Sequence, residues 1–274
     1  MRRALPFALG LLLLGLGAPV HAQYRTPRSA DYLFATTASG ARAIWVNPAA
    51  LGTVFEASVM IEAMVERNGA GDYPLAQYTF GFNSRGVAFG FRRDRFPNDG
   101  AGNTWRFGFG RALGRVSIGA AASIYSGTER KQDVDVGIRY LVTRGLDVAL
   151  GVEHIGQPTV RDSALRFAGT AGIGWRPVAP LTLEVAARGA DGAGTQGWLF
   201  AYRAGVSLET RGRLALGLRA LVDLDDAFHI DRLVAAISIG GPYRGILVGS
   251  GAKRAGDTRL ETLSVTGVAS HDFR

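Results

Sequence analysis

From Asp133 to Ile155 the chain reads DVDVGIRYLVTRGLDVALGVEHI, two alternating runs joined by Thr143-Arg144-Gly145. Val134, Val136, Ile138, Tyr140 and Val142 share one face of the first run, and Asp133, Asp135, Gly137 and Arg139 share the other. In the second, Leu146, Val148, Leu150 and Val152 oppose Asp147, Ala149, Gly151 and Glu153. Side chains of a strand point alternately to its two faces, so each run is a strand of about ten residues with one apolar side. One such hairpin also fits a soluble sheet with a wet face. Strand length, turn length and copy number separate the two.

The pattern recurs to the end of the chain. Strands are expected at 56–66, 74–83, 86–95, 103–112, 115–126, 132–142, 145–155, 164–176, 180–188, 197–208, 212–223, 228–240, 243–254 and 258–268, fourteen in all. Apolar faces include Tyr78/Phe80/Phe82, Val87/Phe89/Phe91, Trp105/Phe107/Phe109 and Leu214/Leu216/Leu218. Opposing faces carry glycine and charge, among them Gly81, Gly90, Gly108, Gly205 and Asp223. Tight turns such as Asn83-Ser84-Arg85-Gly86, Leu113-Gly114 and Arg176-Pro177-Val178-Ala179 alternate with longer polar links such as 96–103, 156–163 and 189–196. An even number of strands, short turns at one end and longer loops at the other describe a transmembrane β-barrel. Closure removes the unpaired edges that an open sheet of this size would expose. A secreted sandwich or solenoid would need shorter strands and closer turns. The fold class is therefore all-β, a fourteen-stranded antiparallel transmembrane barrel over 56–274, preceded by a lumenal or periplasmic segment at 23–55.

Residues 1–22 have the form of a cleaved secretory signal: basic Met1-Arg2-Arg3, an apolar run from Ala4 to Gly17, and Val20-His21-Ala22 before Gln23. The expected address is the outer membrane of a Gram-negative cell. Cysteine is absent, which excludes disulfides and thiolate metal sites. The net charge of +8 becomes +6 once Arg2 and Arg3 are removed (8 − 2), and Lys131 and Lys253 are the only lysines. For an exported chain such charge suits anionic lipid or lipopolysaccharide, or a wet cavity, and not nucleic acid. The expected partners are therefore membrane lipid, the barrel-assembly machinery and a hydrophobic small molecule. No cofactor or metal is expected.

Before the first strand the sequence is ATTASGARAIWVNPAALGT. Its Trp45, Asn47, Pro48 and Ala49 resemble the "WNPAGL" element that precedes the first strand of FadL-like fatty-acid transporters and of PorV/PorQ-like outer-membrane proteins. Thr36-Thr37 stands where those families often carry paired acids, Val46 separates Trp45 from Asn47, and Ala50 replaces the glycine. The resemblance implies a fourteen-stranded barrel with this segment tucked into the lumen as a hatch, its turn at Asn47-Pro48-Ala49. A strap that seals the barrel base is the other reading. The resemblance also implies passive transport of hydrophobic or amphipathic molecules, or else a PorV-like role in protein secretion or surface attachment.

The polar faces supply the second set of candidates, expected to line the lumen: Glu62, Arg92, Arg106, Asp133, Asp135, Arg139, Asp147, Glu153, Arg166, Glu184, Arg188, Arg203 and Arg219. They could border a polar path, hold a hatch by ion pairs, or pair across strands as in any wet barrel interior. Glycines beside the arginines suit a plug or a narrow passage better than a wide pore. An enzyme is not expected. Alternation puts His154 on the lipid side, and His229 and His271 lack serine and acid partners at matched register. Asp223, Asp225 and Asp226 could gather calcium, though a solvated loop explains them as well.

Overall fold

The structure, a computed structural model, describes residues 29–53, 57–95, 101–126, 132–160, 163–192, 197–210, 215–241 and 245–271. The signal at 1–22, Lys131 and the turns around Arg211-Gly212 and Pro242 lie outside these residues.

All fourteen expected strands are present. They are β1 Ala57–Glu66, β2 Leu75–Ser84, β3 Val87–Arg95, β4 Ala101–Leu113, β5 Val116–Tyr125, β6 Gln132–Thr143 and β7 Leu146–Glu153. A separate two-residue pair follows, β8 Thr159–Val160 and β9 Ser163–Ala164. Then come β10 Ala168–Val178, β11 Leu181–Asp191, β12 Trp198–Glu209, β13 Ala215–Leu224, β14 Ile230–Gly241, β15 Gly245–Arg254 and β16 Thr262–His271. Each barrel strand pairs antiparallel with its neighbours, and β1 closes the ring on β16 with Ala57 opposite His271 and Glu66 opposite Thr262. Every barrel strand therefore has a partner on both sides, which satisfies the backbone without water.

The outward face is apolar: Ile61, Val87, Phe109, Leu218, Ile237 and Leu247 are each more than half exposed. The inward face is buried and polar, with Glu62, Thr79, Arg106, Asp135, Glu184, Arg203 and Thr266 on it. An apolar band around a closed ring needs hydrocarbon outside it, since in water the same surface would drive aggregation. Rings gather on the outward face of β2–β4, where Phe91 and Trp105 lie 4.5 Å apart and Phe89 and Phe107 5.4 Å apart. At the long-loop end Phe228 stacks on Tyr202 at 4.4 Å.

Three expectations need correction. β10 starts at Ala168 and not at 164, because residues 154–167 form a long connection with the β8–β9 hairpin inside it. β16 starts at Thr262 and not at 258, because the chain leaving β15 first turns at Gly256, whose φ is +82°, with Asp257 N donating to the Arg254 carbonyl at 3.2 Å. His154 does not face outward. Its φ of +58° breaks the alternation and turns the ring toward Asp133 on the inner wall.

Candidate functional site

Residues 29–53 lie inside the ring. The sequence here has no two-residue period, so it cannot join the sheet. It forms a 3-10 turn (Gly40–Arg42), one helical turn (Ala43–Val46) and a second 3-10 stretch (Pro48–Thr53). Ala38, Ala41, Ala43, Ile44, Trp45, Ala49, Ala50 and Leu51 are at most 1% exposed. This apolar cluster is the core of the molecule and sits where a channel would have water.

The segment touches opposite sides of the barrel, which fixes its place in the lumen. Its first part is held by side chains. Ser29 Oγ lies 2.8 Å from Thr79 Oγ1, and Gln77 Nε2 donates to it at 2.9 Å. Ala30 N donates to Glu62 Oε2 at 3.0 Å, and Thr266 Oγ1 donates to the same oxygen at 2.9 Å. Arg203 holds Asp223 through Nε and Nη2 (2.5 and 2.8 Å) and donates Nη1 to the Asp31 carbonyl at 2.9 Å. The Asp31 carboxylate meets Arg232 at 2.8 Å. Arg219 donates to the Tyr32 carbonyl at 2.9 Å, and Thr36 Oγ1 donates to Glu184 at 2.7 Å. Charge-assisted bonds of this kind are short and strong, and they are confined to a buried volume.

The second part is held by shape. Asn47 Oδ1 accepts from Ala49 N at 3.0 Å and closes the turn expected at Asn47-Pro48-Ala49. That turn lies on three inward glycines of neighbouring strands. A Cβ on Gly137 would fall on Asn47 Oδ1; one on Gly119 would fall on the Pro48 carbonyl, and one on Gly110 would stand 2.6 Å from the same oxygen. Gly90 makes room for the Trp45 ring, where a Cβ would stand 2.6 Å from Cζ2. The guanidinium groups of Arg92 and Arg106 lie 5.6 and 5.9 Å from the centre of that ring, within cation–π range. Glycine is needed here for close approach, because any side chain would displace backbone.

The other expected lumen residues pair with one another. Arg106 on β4 reaches across β5 to Asp135 on β6. Arg139 meets Asp147 at 3.0 Å, Arg188 meets Glu153 at 3.2 Å, and Arg92 meets Asp94 at 3.1 Å. Asp133 lies 2.5 Å from His154 Nδ1. Arg166 is displaced: it sits in the connection before β10 and donates to the Asp191 carbonyl at 3.3 Å. The three acids suggested for calcium do not converge. Asp223 serves Arg203, whereas Asp225 accepts from Ala227 N (3.0 Å) and His229 N (2.8 Å) and shapes its own loop. Burial works against the charged form of Asp225, but those N–H groups and the His229 imidazole hold its carboxyl below the usual range.

Sequence reasoning missed Ser58, which accepts from Ala41 N at 2.7 Å, as well as Asp31 and Thr266. Ser58 and Thr266 fall on the inward register of β1 and β16, a signal that alternation alone carries. Asp31 precedes the first strand and had no such marker.

No protein-family model matches the chain, and no curated protein is significantly similar to it. Solved structures are similar in shape. The Ralstonia pickettii toluene transporter TbuX gives a TM-score of 0.63 at 11% identity, covering 91% of this chain and 98% of that one. The CymD monoaromatic hydrocarbon channel gives 0.57 at 10% identity, covering 91% and 97%. A Pseudomonas aeruginosa FadL homologue gives 0.54 at 10% identity, covering 93% and 100%. The chain thus has the fold of FadL-type outer-membrane channels, at a sequence distance that leaves the architecture as the shared property.

Proposed function

We propose that this protein is an outer-membrane channel, exported with a cleaved leader, through which a hydrophobic or amphipathic small molecule passes by way of residues 29–53. The observation that carries this reading is the filled lumen. An apolar segment, anchored by buried charged and hydroxyl side chains on one wall and resting on bare backbone on the other, blocks water and ions while offering an apolar path once it shifts. A barrel that only needed sealing could use any packed interior; here most of the inward charges named above hold the segment or pair with one another. The named structural neighbours that carry hydrocarbons agree with this direction, and their fold is the only property that bears on it.

The alternative, a PorV-like barrel docking proteins through apolar loops, draws no support from the described loops. They expose Ile155, Phe228 and Leu260, one on each of three connections, and Phe228 is stacked on the barrel wall. Liposomes containing the protein test the transport reading. Uptake of a labelled fatty acid or of toluene should exceed that of protein-free liposomes, while a polar sugar stays excluded. Equal uptake with and without protein would sink the proposal.

A further inference from the structure

We propose that Asp133, Asp135 and His154 form a binding site for a borderline divalent cation, zinc being the representative, at the long-loop end of the lumen. The inference is independent of what passes through the barrel. Asp133 and Asp135 stand two residues apart on the inner face of β6, 2% and 5% exposed. His154 opens the connection after β7, and its left-handed backbone turns the ring inward. One ligand atom from each of the three lies within 4.8 Å of the others.

The donor set selects the cation. One imidazole nitrogen with two carboxylates suits zinc and its neighbours in the first transition row, whereas calcium and magnesium take oxygen throughout. Three protein ligands leave a coordination position for solvent. Charge points the same way. With a neutral imidazole, two carboxylates face one guanidinium, that of Arg106, and the Tyr125 hydroxyl adds none. Arg92 and Asp94, on the neighbouring wall, pair with each other. One negative charge is left over in a buried place, where a lone charge is costly. A dication bound by the neutral imidazole and both carboxylates, with a solvent-derived hydroxide in its open position, leaves the cluster neutral.

A second observation comes from Arg106. It is 7% exposed and reaches into the cluster, yet its Nε has no hydrogen-bond partner. A solvent ligand completing the coordination of the proposed cation would give this donor an acceptor. The outer shell is also in place: Tyr125 OH donates to Asp133 at 3.3 Å, and Arg106 holds Asp135. Such partners fix ligand orientation and raise affinity. Because Asp133 and Asp135 belong to β6 and His154 roots the connection 154–167, the cation would tie that connection to the rim.

The test uses the full-length untagged protein in detergent, titrated with zinc chloride alone and assayed for bound metal after desalting. Folding of each variant is checked by heat-modifiable gel migration. The expected result is one zinc per chain, with affinity falling roughly tenfold or more in His154→Ala and in Asp135→Asn. His229→Ala, which alters an exposed ring at another loop, should leave binding unchanged. If the Asp135 variant does not fold, His154→Ala decides, since its ring lies at the root of a loop. The proposal is overturned if the wild type binds no zinc. It is equally overturned if folded His154→Ala binds as tightly, or if His229→Ala removes the metal instead.

Discussion

The two walls that grip residues 29–53 do so by opposite means. On β11–β14 and on β1, charged and hydroxyl side chains reach inward to hold residues 29–37: Glu184, Arg203, Arg219, Arg232 and Glu62. On β3–β6, glycines withdraw so that Trp45 to Leu51 can lie against the strand backbone. The first wall is costly to disrupt because a broken pair strands a charge. The second is costly to fill because no volume remains. One wall therefore resists loss of side chains and the other resists gain.

The largest effect should come from the charged wall. Arg203→Ala deprives the buried Asp223 carboxylate of its guanidinium and should lower stability by about 3–5 kcal/mol, read from the urea midpoint of the folded barrel. Exchanging both residues for apolar ones of similar volume should recover much of that loss. If Arg203→Ala alone costs nothing, the charged wall does not anchor the segment.

Next is the opposite wall. Gly137→Val and Gly119→Val each push a side chain into the Asn47-Pro48 turn, with an expected cost of about 1–3 kcal/mol and a loosened segment. Combined with an Arg203 change on the far side, the two losses should add to within about 0.5 kcal/mol, because distant sites act independently. Strong non-additivity would mean that the segment moves as one body and the walls are not separate. A smaller effect is expected for Asn47→Ala, which removes the acceptor of Ala49 N and should cost about 1 kcal/mol.

The smallest effect lies outside both walls and serves as their control. Asp225 has a folded pKa held below its unfolded value of about 3.9, so its contribution to the 225–229 loop is fully present above that value. It is lost as pH falls through the folded pKa. Amide shifts of Ala227 and His229 should move through that acid range as the carboxylate takes up its proton, and shifts that stay unchanged there would contradict the assignment.

Much of this arrangement could be read in the sequence, and for a physical reason. A period of two is imposed on every strand by the pleat, so strand number, inward glycines and most lumenal charges follow from position alone. Asp133, Arg139 and Arg203 were assigned inward and are buried there or paired there. What failed lay where the period stops. One left-handed residue reversed His154, and an irregular run displaced Arg166. The tryptophan–asparagine–proline element marked a segment but not its bed. The bed is made of glycines on the successive strands β4, β5 and β6, where register sets Gly110 opposite Gly119 and Gly119 opposite Gly137, and the period of a single strand does not reveal that alignment.

The central claim is that residues 29–53 occupy the lumen of the folded barrel. The absence of cysteine makes it directly testable. Thr36→Cys, at a position 1% exposed, and Arg85→Cys, in an exposed turn, should be compared for labelling by a bulky maleimide in the folded protein and in urea. The account predicts rapid labelling at 85 in both conditions and labelling at 36 only after unfolding. Equal and rapid labelling at both positions in the folded barrel would place the segment outside the ring and contradict it.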